Sequence, residues 1–366
     1  MIGLYIHIPF CNKICIYCDF AKRIPKDNLM VDNYIDALIK EINSYKSSFN
    51  NIDTIYIGGG TPSVLNEGQT EKLLKALIDI KPIEFTIEVN PESYTHEKGL
   101  LYKKYGVNRV SLGVQTFNEK LLKFINREHK NEDVFNVYND LINLGINNIS
   151  IDLIFSLPNQ TIKDLEDDLK IIKDLKPKHI SSYALILEEN TVLAKLVNDK
   201  IIKLNDEDLE ANMFEIVLKT LKKYGYNHYE ISNFSLPGFE SIHNLKYWEL
   251  KPYIGVGCGA HGFINNIRTI NNKHVSEYIK NPRQAEIIQT NDDLLQDELI
   301  FGLRKTSGIN IKKLEEKYQI KLFEKYPNLK TYLNDLIIIE NDYLKFTYKG
   351  LFLENVVLRE FIWNIY

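Results

Sequence analysis

The chain has 366 residues, 44% of them apolar and 26% charged, with a formal net charge of −4 at pH 7. These proportions are those of a soluble globular protein and exclude collagen-like, disordered and disulfide-scaffold classes. Near-neutrality argues against a dominant nucleic-acid or anionic-membrane surface, and no apolar run approaches the ~18 to 20 residues that a membrane span needs.

The chain opens Met1-Ile2-Gly3-Leu4-Tyr5-Ile6-His7-Ile8-Pro9, with no basic region and no small-residue cleavage site. It therefore reads as a strand rather than a secretory leader, and the protein as cytoplasmic. From residue 3 to about 232, short β-branched runs alternate with longer stretches of helical period. Strands are expected at 3–9, 53–58, 84–90, 109–115, 149–155, 179–185 and 226–231. Helices are expected at 31–49, 68–80, 119–126, 134–144, 162–175 and 206–224. Runs such as Ile149-Ser150-Ile151-Asp152-Leu153-Ile154-Phe155 are nearly continuous in apolar residues, as in strands covered on both faces. Strand–helix–strand units at roughly 30-residue spacing imply right-handed crossovers and parallel strands. The expected fold is α/β, a partial (β/α)6-type barrel over 1–232. Polar and glycine residues gather where strands end, at Cys11, 58–61, Glu88, Gln115 and Asp152, the edge on which α/β barrels build their sites.

Residues 233–290 change character. Pro237-Gly238, Asn265-Asn266, Asn271-Asn272 and Asn281-Pro282 are turn signals with little periodicity, so this stretch is expected to connect two units. From 291 onward, helices at 292–303, 311–318 and 351–362 flank a hairpin, 336–340 with 343–347, around Asn341-Asp342. That is a small α+β domain of winged-helix type. Winged helices often bind DNA, but 290–366 holds 11 basic and 12 acidic side chains, so no nucleic-acid role is expected.

Three of the four cysteines fall in Cys11-Asn12-Lys13-Ile14-Cys15-Ile16-Tyr17-Cys18, directly after the first strand. In a reducing compartment such a knot points to metal binding or catalysis. Three thiolates in C-x3-C-x2-C spacing can fill three corners of a cubane iron–sulfur cluster and leave one iron without a protein ligand. A zinc knuckle is the ordinary alternative, but structural zinc prefers four closed ligands and no fourth Cys or His lies within a few residues. A disulfide would leave one thiol odd. An iron with an open position is a Lewis acid that can chelate an amine and a carboxylate.

With Tyr17 just before its last cysteine, this loop resembles that of the radical S-adenosylmethionine (SAM) superfamily, in which the methionine end of the cofactor caps the unique iron. Ile57-Gly58-Gly59-Gly60-Thr61-Pro62 is similar to the family's glycine motif, where backbone can approach the cofactor closely. Glu88-Val89-Asn90-Pro91, Ser111-Leu112-Gly113-Val114-Gln115-Thr116-Phe117, Arg127-Glu128, Asp152-Leu153-Ile154 and Tyr183-Ala184 resemble one branch, the oxygen-independent coproporphyrinogen oxidases and their relatives. The resemblance implies a cofactor site lined by Tyr5, Tyr17, Gly59, Gly60, Thr61, Glu88, Gln115, Arg127, Asp152 and Ala184, beside a [4Fe-4S] cluster on Cys11, Cys15 and Cys18. Glu88 would take the ammonium of SAM, Arg127 its carboxylate, and Gln115 and Asp152 its ribose hydroxyls. Singly, Glu88 or Asp152 would be an ordinary strand-end carboxylate; five motifs in order at one edge carry the weight.

Two functions compete within this branch: oxidative decarboxylation of coproporphyrinogen III, and the carriage of haem by HemW-type chaperones. The oxidases continue the loop as C-x3-C-x2-C-x-C, whereas here Cys18-Asp19-Phe20 follows. They also carry a segment ahead of the first strand, which here begins at residue 3. His243-Asn244-Leu245-Lys246-Tyr247-Trp248 matches the H-N-x-x-Y-W motif of the chaperones. The resemblance, which spans residues 3–363, therefore implies a chaperone that binds haem and passes it to acceptor haem proteins. Those of a respiratory chain are candidates, with membrane association only through them, and the chaperone would be a monomer or dimer. A different radical reaction, such as nucleic-acid modification, is disfavoured by the neutral charge.

His243 is the expected axial haem ligand, since neutral imidazole is a common one. If the segment is helical, Tyr247 shares its face and packs on the porphyrin, with Lys246 or Arg268 on a propionate. The ordinary alternative is a hydrogen-bonded histidine with Tyr247 and Trp248 as interface core. His261 is a second ligand candidate, as able to shape the barrel mouth. Cys258 is expected to be a small buried residue, His7 to support the cysteine loop, and His228 and Glu230 to be structural.

Overall fold

A computed structural model describes residues 1–362. At its centre lie six strands, each parallel to the next: β1 (Ile2–Ile8), β2 (Ile52–Gly59), β3 (Glu84–Val89), β4 (Arg109–Gln115), β5 (Asn148–Phe155) and β6 (His179–Ala184). Their aliphatic residues explain the arrangement. Ile6, Ile55, Ile57, Leu112, Ile149 and Ile151 are fully enclosed between the sheet and its crossover helices, while the alternate positions, Tyr56, Glu88, Ser111 and Asp152 among them, turn to a cavity on the other face, so the strands are apolar on one face and polar on the other. The crossover between β3 and β4 holds a helix that periodicity alone did not reveal, His96–Lys104, capped by the Thr95 hydroxyl.

The flanks differ from expectation. The seventh strand, β7 (Asn227–Glu230), is not parallel. It turns within two residues into β8 (Asn233–Ser235), and β8 is the strand that pairs, antiparallel, with β6. So short a link permits only a hairpin, whereas a parallel crossover needs a dozen residues or more. On the other side the stretch read as a connection supplies β9 (Tyr253–Val256), parallel to β1, then β10 (His261–Ile264), β11 (Ile267–Asn271) and β12 (Arg283–Ile288) as an antiparallel run. One of its turn signals is a two-residue hairpin: Asn265 and Asn266, between β10 and β11, both adopt positive φ, the conformation such a hairpin requires. The completed sheet has the order β12-β11-β10-β9-β1-β2-β3-β4-β5-β6-β8-β7.

The C-terminal unit has the expected content. Helices Asn291–Gly302, Ile311–Tyr318 and Glu354–Ile362 pack on a small antiparallel sheet of β13 (Ile309–Asn310), β14 (Ile337–Glu340) and β15 (Tyr343–Phe346), with a core of its own around Leu299, Leu314, Ile337 and Val357. It docks on the β7 edge: Ile231 N–H donates to Arg304 O (3.0 Å) and Thr306 N–H to Tyr229 O (3.1 Å). Residues 363–366, the end of the expected unit, lie outside the described residues. Among the described residues no helix is long and apolar enough to cross a membrane.

Candidate metal and cofactor site

The cysteine loop leaves the end of β1 and is pinned on several sides. Cys11 N–H donates to Arg23 O (3.0 Å) and Arg23 N–H to Pro9 O (2.7 Å), which ties its entry to its exit. Its tip is held by Ile16 N–H to Ile125 O (3.4 Å) and by the Asn126 amide to Ile14 O (2.7 Å). His7 donates from Nε2 to Ala21 O (2.7 Å) and accepts from the Tyr5 hydroxyl at Nδ1 (2.9 Å), the supporting role expected of it. The glycines at the end of β2 are there for space. A Cβ on Gly60 would stand 3.0 Å from Cys11 Sγ and 2.8 Å from Phe10 O, and Gly59 has φ +119° with the His7 ring against it. Thr61 donates its hydroxyl to Cys11 Sγ at 3.5 Å.

Burial, and then the neighbouring cysteines, push the Cys11 thiol up to about 11; burial raises Cys18 as well. Thiols so placed ionise only when a cation compensates them, which is what the irons of a cluster supply. Among the described residues no three His, Cys, Asp or Glu side chains gather tightly enough to chelate one bare ion. The three cysteines spread instead over the wall of one cavity of about 470 Å³, an arrangement that suits a group larger than a single ion.

That cavity draws together most of the expected residues. Cys11, Cys15, Tyr17 and Cys18 form one wall; Gly59, Gly60 and Thr61, then Glu88, Gln115, Asp152 and Ala184, bring the strands to it, and Arg127 joins from the loop after the helix Glu119–Phe124. Glu88 accepts from the Tyr56 hydroxyl (2.8 Å) and the Gly59 amide (3.1 Å), and burial, reinforced by Asp152, pushes its carboxyl up to about 7. Asp152 is gripped by the Ser111 hydroxyl (2.9 and 3.0 Å) and by Ser150 (3.0 Å), with its pKa raised by burial. Gln115 sits at φ +69° where the β4–β5 register shifts after Gly113, a bulge that re-aims its side chain.

Arg127 donates to Gly113 O and lies 3.8 Å from Glu92, yet its buried Nε has no partner. Glu92 and Cys15 outweigh the effect of its burial and hold it charged. Two carboxylates that favour a proton and a guanidinium with an unfilled donor make a cradle for a ligand carrying both an ammonium and a carboxylate. Tyr5 stands one layer below the wall, its ring 6.2 Å from that of Tyr56.

His243 and Tyr247 are not brought to the cavity. Their helix, Ile242–Trp248, seats against the starts of β2 and β3, at the opposite end of the strands from the cysteines. Glu84 accepts from the amides of Ile242 (2.8 Å) and His243 (2.9 Å), and Lys246 Nζ lies 2.8 and 2.9 Å from the two oxygens of Asp53. The His243 ring is fully enclosed, with Nδ1 bonded to Thr54 Oγ1 (2.9 Å) and Nε2 to the Tyr247 hydroxyl (2.8 Å). Burial, followed by Lys246, lowers its pKa to about 3, so it is neutral.

The residues expected to share one helix face do share it, but they bond one another. Lys246 is taken by Asp53 and Arg268 by Asp297, so neither cation is free for a propionate. Trp248 faces the C-terminal unit, with Phe301 at 6.3 Å and the Arg304 guanidinium 4.7 Å over its ring. His261 is exposed and Cys258 fully buried. Tyr56, Arg109 and Asn244 also line the cavity and were not anticipated. Counting back by twos along the inward face of β4, from Gly113 through Ser111, would have reached Arg109.

Residues 5–172 match the Radical SAM superfamily and residues 289–353 the HemN C-terminal domain. A Lactococcus lactis protein named heme chaperone HemW is 41% identical over 368 residues, which cover 98% of this chain and 96% of the relative. The Bacillus subtilis protein of the same name is 40% identical, with 99% of each chain covered. Among solved structures, that of the Escherichia coli coproporphyrinogen III oxidase HemN, a radical SAM enzyme, is similar with a TM-score of 0.85 at 25% identity, covering 98% of this chain and 89% of that one.

Proposed function

Because the chain belongs to the HemW family of the radical SAM superfamily, we propose that it is a haem chaperone that holds a [4Fe-4S] cluster on Cys11, Cys15 and Cys18 with SAM on the open iron. The observation that carries the reading is the single cavity shared by these cysteines, the strand and strand-end residues Gly59, Gly60, Thr61, Glu88, Gln115, Asp152 and Ala184, and Arg127 from the loop after the helix Glu119–Phe124. Such a cluster with its cofactor supplies one-electron chemistry at the cavity wall. The chain's own part is to bind and orient. Glu88 takes the ammonium, Arg127 offers its unfilled Nε to the carboxylate, and Gln115 and Asp152 take hydroxyls, while Tyr17 closes the wall beside Cys18. The protein works in the cytoplasm, hands haem to acceptor haem proteins, and meets a membrane only through them.

Glu88 makes this binding pH-dependent. Its carboxyl is raised from 4.5 to about 7 in the fold, so its contribution to stability is fully present below 4.5 and is lost as pH rises through 7. Ligand binding runs the other way, because an ammonium pairs with the carboxylate. SAM affinity, read by equilibrium dialysis, should rise between about pH 6 and about pH 8. Glu88→Gln should flatten that profile and weaken binding about tenfold; an unchanged profile would place the ammonium elsewhere.

The haem reading requires a movement: His243 reaches a haem iron only once the helix Ile242–Trp248 has left Thr54 and Asp53. Anaerobic titration of the cluster-loaded chain should give stoichiometric haem binding, and coproporphyrinogen III with reductant and SAM should give no product. Product at enzyme-like rates would return the chain to the oxidase reading. The Soret band of His243→Ala assigns the ligand: its loss from protein that still folds identifies His243, and its retention moves the ligand elsewhere.

A further inference from the structure

We propose that the closed end of the cavity is an anion site in which Arg109, assisted by Asn244, takes the carboxylate of a ligand. Arg109 opens β4, six residues before Gln115, so the two ends of the strand are ~20 Å apart at a rise of ~3.3 Å per residue. Its side chain lines the cavity, is only 1% exposed, and has no partner for Nε or Nη1. Its charge favours the ionised forms of Asp152 and Glu88, but neither carboxylate bonds it. Asp152 is held by Ser111 and Ser150, and Glu88 by Tyr56 and Gly59. His179 bonds Ser150 and Tyr229, and Glu84 caps the floor helix.

That helix places Asn244 on the same cavity, while its neighbours His243 and Lys246 lock it to the strands. Buried guanidinium donors left without a hydrogen-bond partner are a standing cost to a fold. Fold-breaking choices of this kind are kept where function uses them. A guanidinium fork fits a planar carboxylate with two parallel bonds, and the Asn244 amide can add a third. Arg127 serves the cysteine end, so the cavity has a cation for an acid group at each end.

This inference does not depend on haem carriage. The probe is sodium propionate, titrated by calorimetry into the cluster-loaded full chain with SAM saturating, so that Arg127 is occupied. Wild type should bind propionate but not the neutral propionamide, with a Tm rise of roughly 2 °C at tenfold saturation. Arg109→Met should bind at least tenfold more weakly. Asn244→Ala should weaken propionate binding at unchanged Tm.

A free aliphatic acid and the acid arm of a larger ligand share this chemistry. Haem affinity that falls in Arg109→Met, while haem dimethyl ester affinity does not, identifies an acid arm; unchanged haem affinity with lost propionate binding identifies a free acid. Equal binding of propionate and propionamide, displacement of propionate by SAM, or a destabilised Arg109→Met beside an Asn244→Ala that binds normally would each overturn the site.

Discussion

Anaerobic reconstitution of a Cys15→Ala chain should return folded protein with at least ~10-fold less cluster iron and visible absorbance than wild type. Cys11→Ala and Cys18→Ala should behave alike, because three thiolates are the minimum that leaves one iron open. The fold itself should survive in Cys15→Ala: this residue is only half-buried, and the loop is pinned by backbone bonds to Arg23, Ile125 and Pro9 that do not involve its sulfur. Cys258→Ala is the control. Cys258 is fully buried, and its amide is held by the Tyr34 hydroxyl far from the loop in sequence, so full cluster content is expected. Full absorbance in Cys15→Ala, or zinc in place of iron in the wild type, would end the cofactor assignment and everything derived from it.

Lys246→Ala should cost about 3–5 kcal/mol of stability in denaturant unfolding, the largest single effect expected outside the cluster. Lys246 and Asp53 have side chains 5% and 11% exposed, and removing the ammonium leaves a buried carboxylate with no counter-charge. The pair is not costly to lose as a whole. Asp53→Leu combined with Lys246→Met should recover most of the loss, since two apolar groups of similar volume replace a desolvated ion pair. The measurement also bears on haem. If Lys246→Ala lies within about 1 kcal/mol of wild type, the floor helix is loosely seated and His243 is cheaply released; the full loss means that ligation by His243 must overcome that seat.

The parts of the fold that were legible are those in which one local pattern decides the outcome. β1 to β6 announce themselves through Ile, Val and Leu at every second position, the face under the crossover helices, and the polar residues between them form the face that turns to the cavity. The same reasoning fails for 253–288. Ile267, Arg268, Thr269 and Ile270 form a strand only partly buried on either face, so neither a continuous nor a strictly alternating pattern appears, and without it the hairpin turn Asn265-Asn266 reads as loop. At the site, Cys11, Gly60, Glu88 and Asp152 were found through spacing and motif. Arg109 was missed because a charged residue opening a strand looks like a surface boundary; only the tertiary fold shows that this end of β4 is closed over by Asn244. The motif at 243–248 was read for the chemistry of its side chains. Thr54 and Asp53, which satisfy His243 and Lys246, lie 189 and 193 positions away, and Glu84, which takes the amides of Ile242 and His243, lies 159 from His243.

The placement of β1 between β2 and β9 has a consequence for the chain as it is made. Gly3 pairs with Tyr253, 250 positions later, so at roughly 5–20 residues per second a ribosome needs about 12–50 s to supply that neighbour. Throughout that interval one edge of the first strand, with the cysteine loop hanging from it, stays open to other nascent or misfolded polypeptides. Iron delivered before translation has passed Asn244 would meet thiols in a cavity still lacking that lining residue. Productive loading therefore belongs after release, and any aggregation of this protein in overproducing cells should begin from its amino-terminal strand.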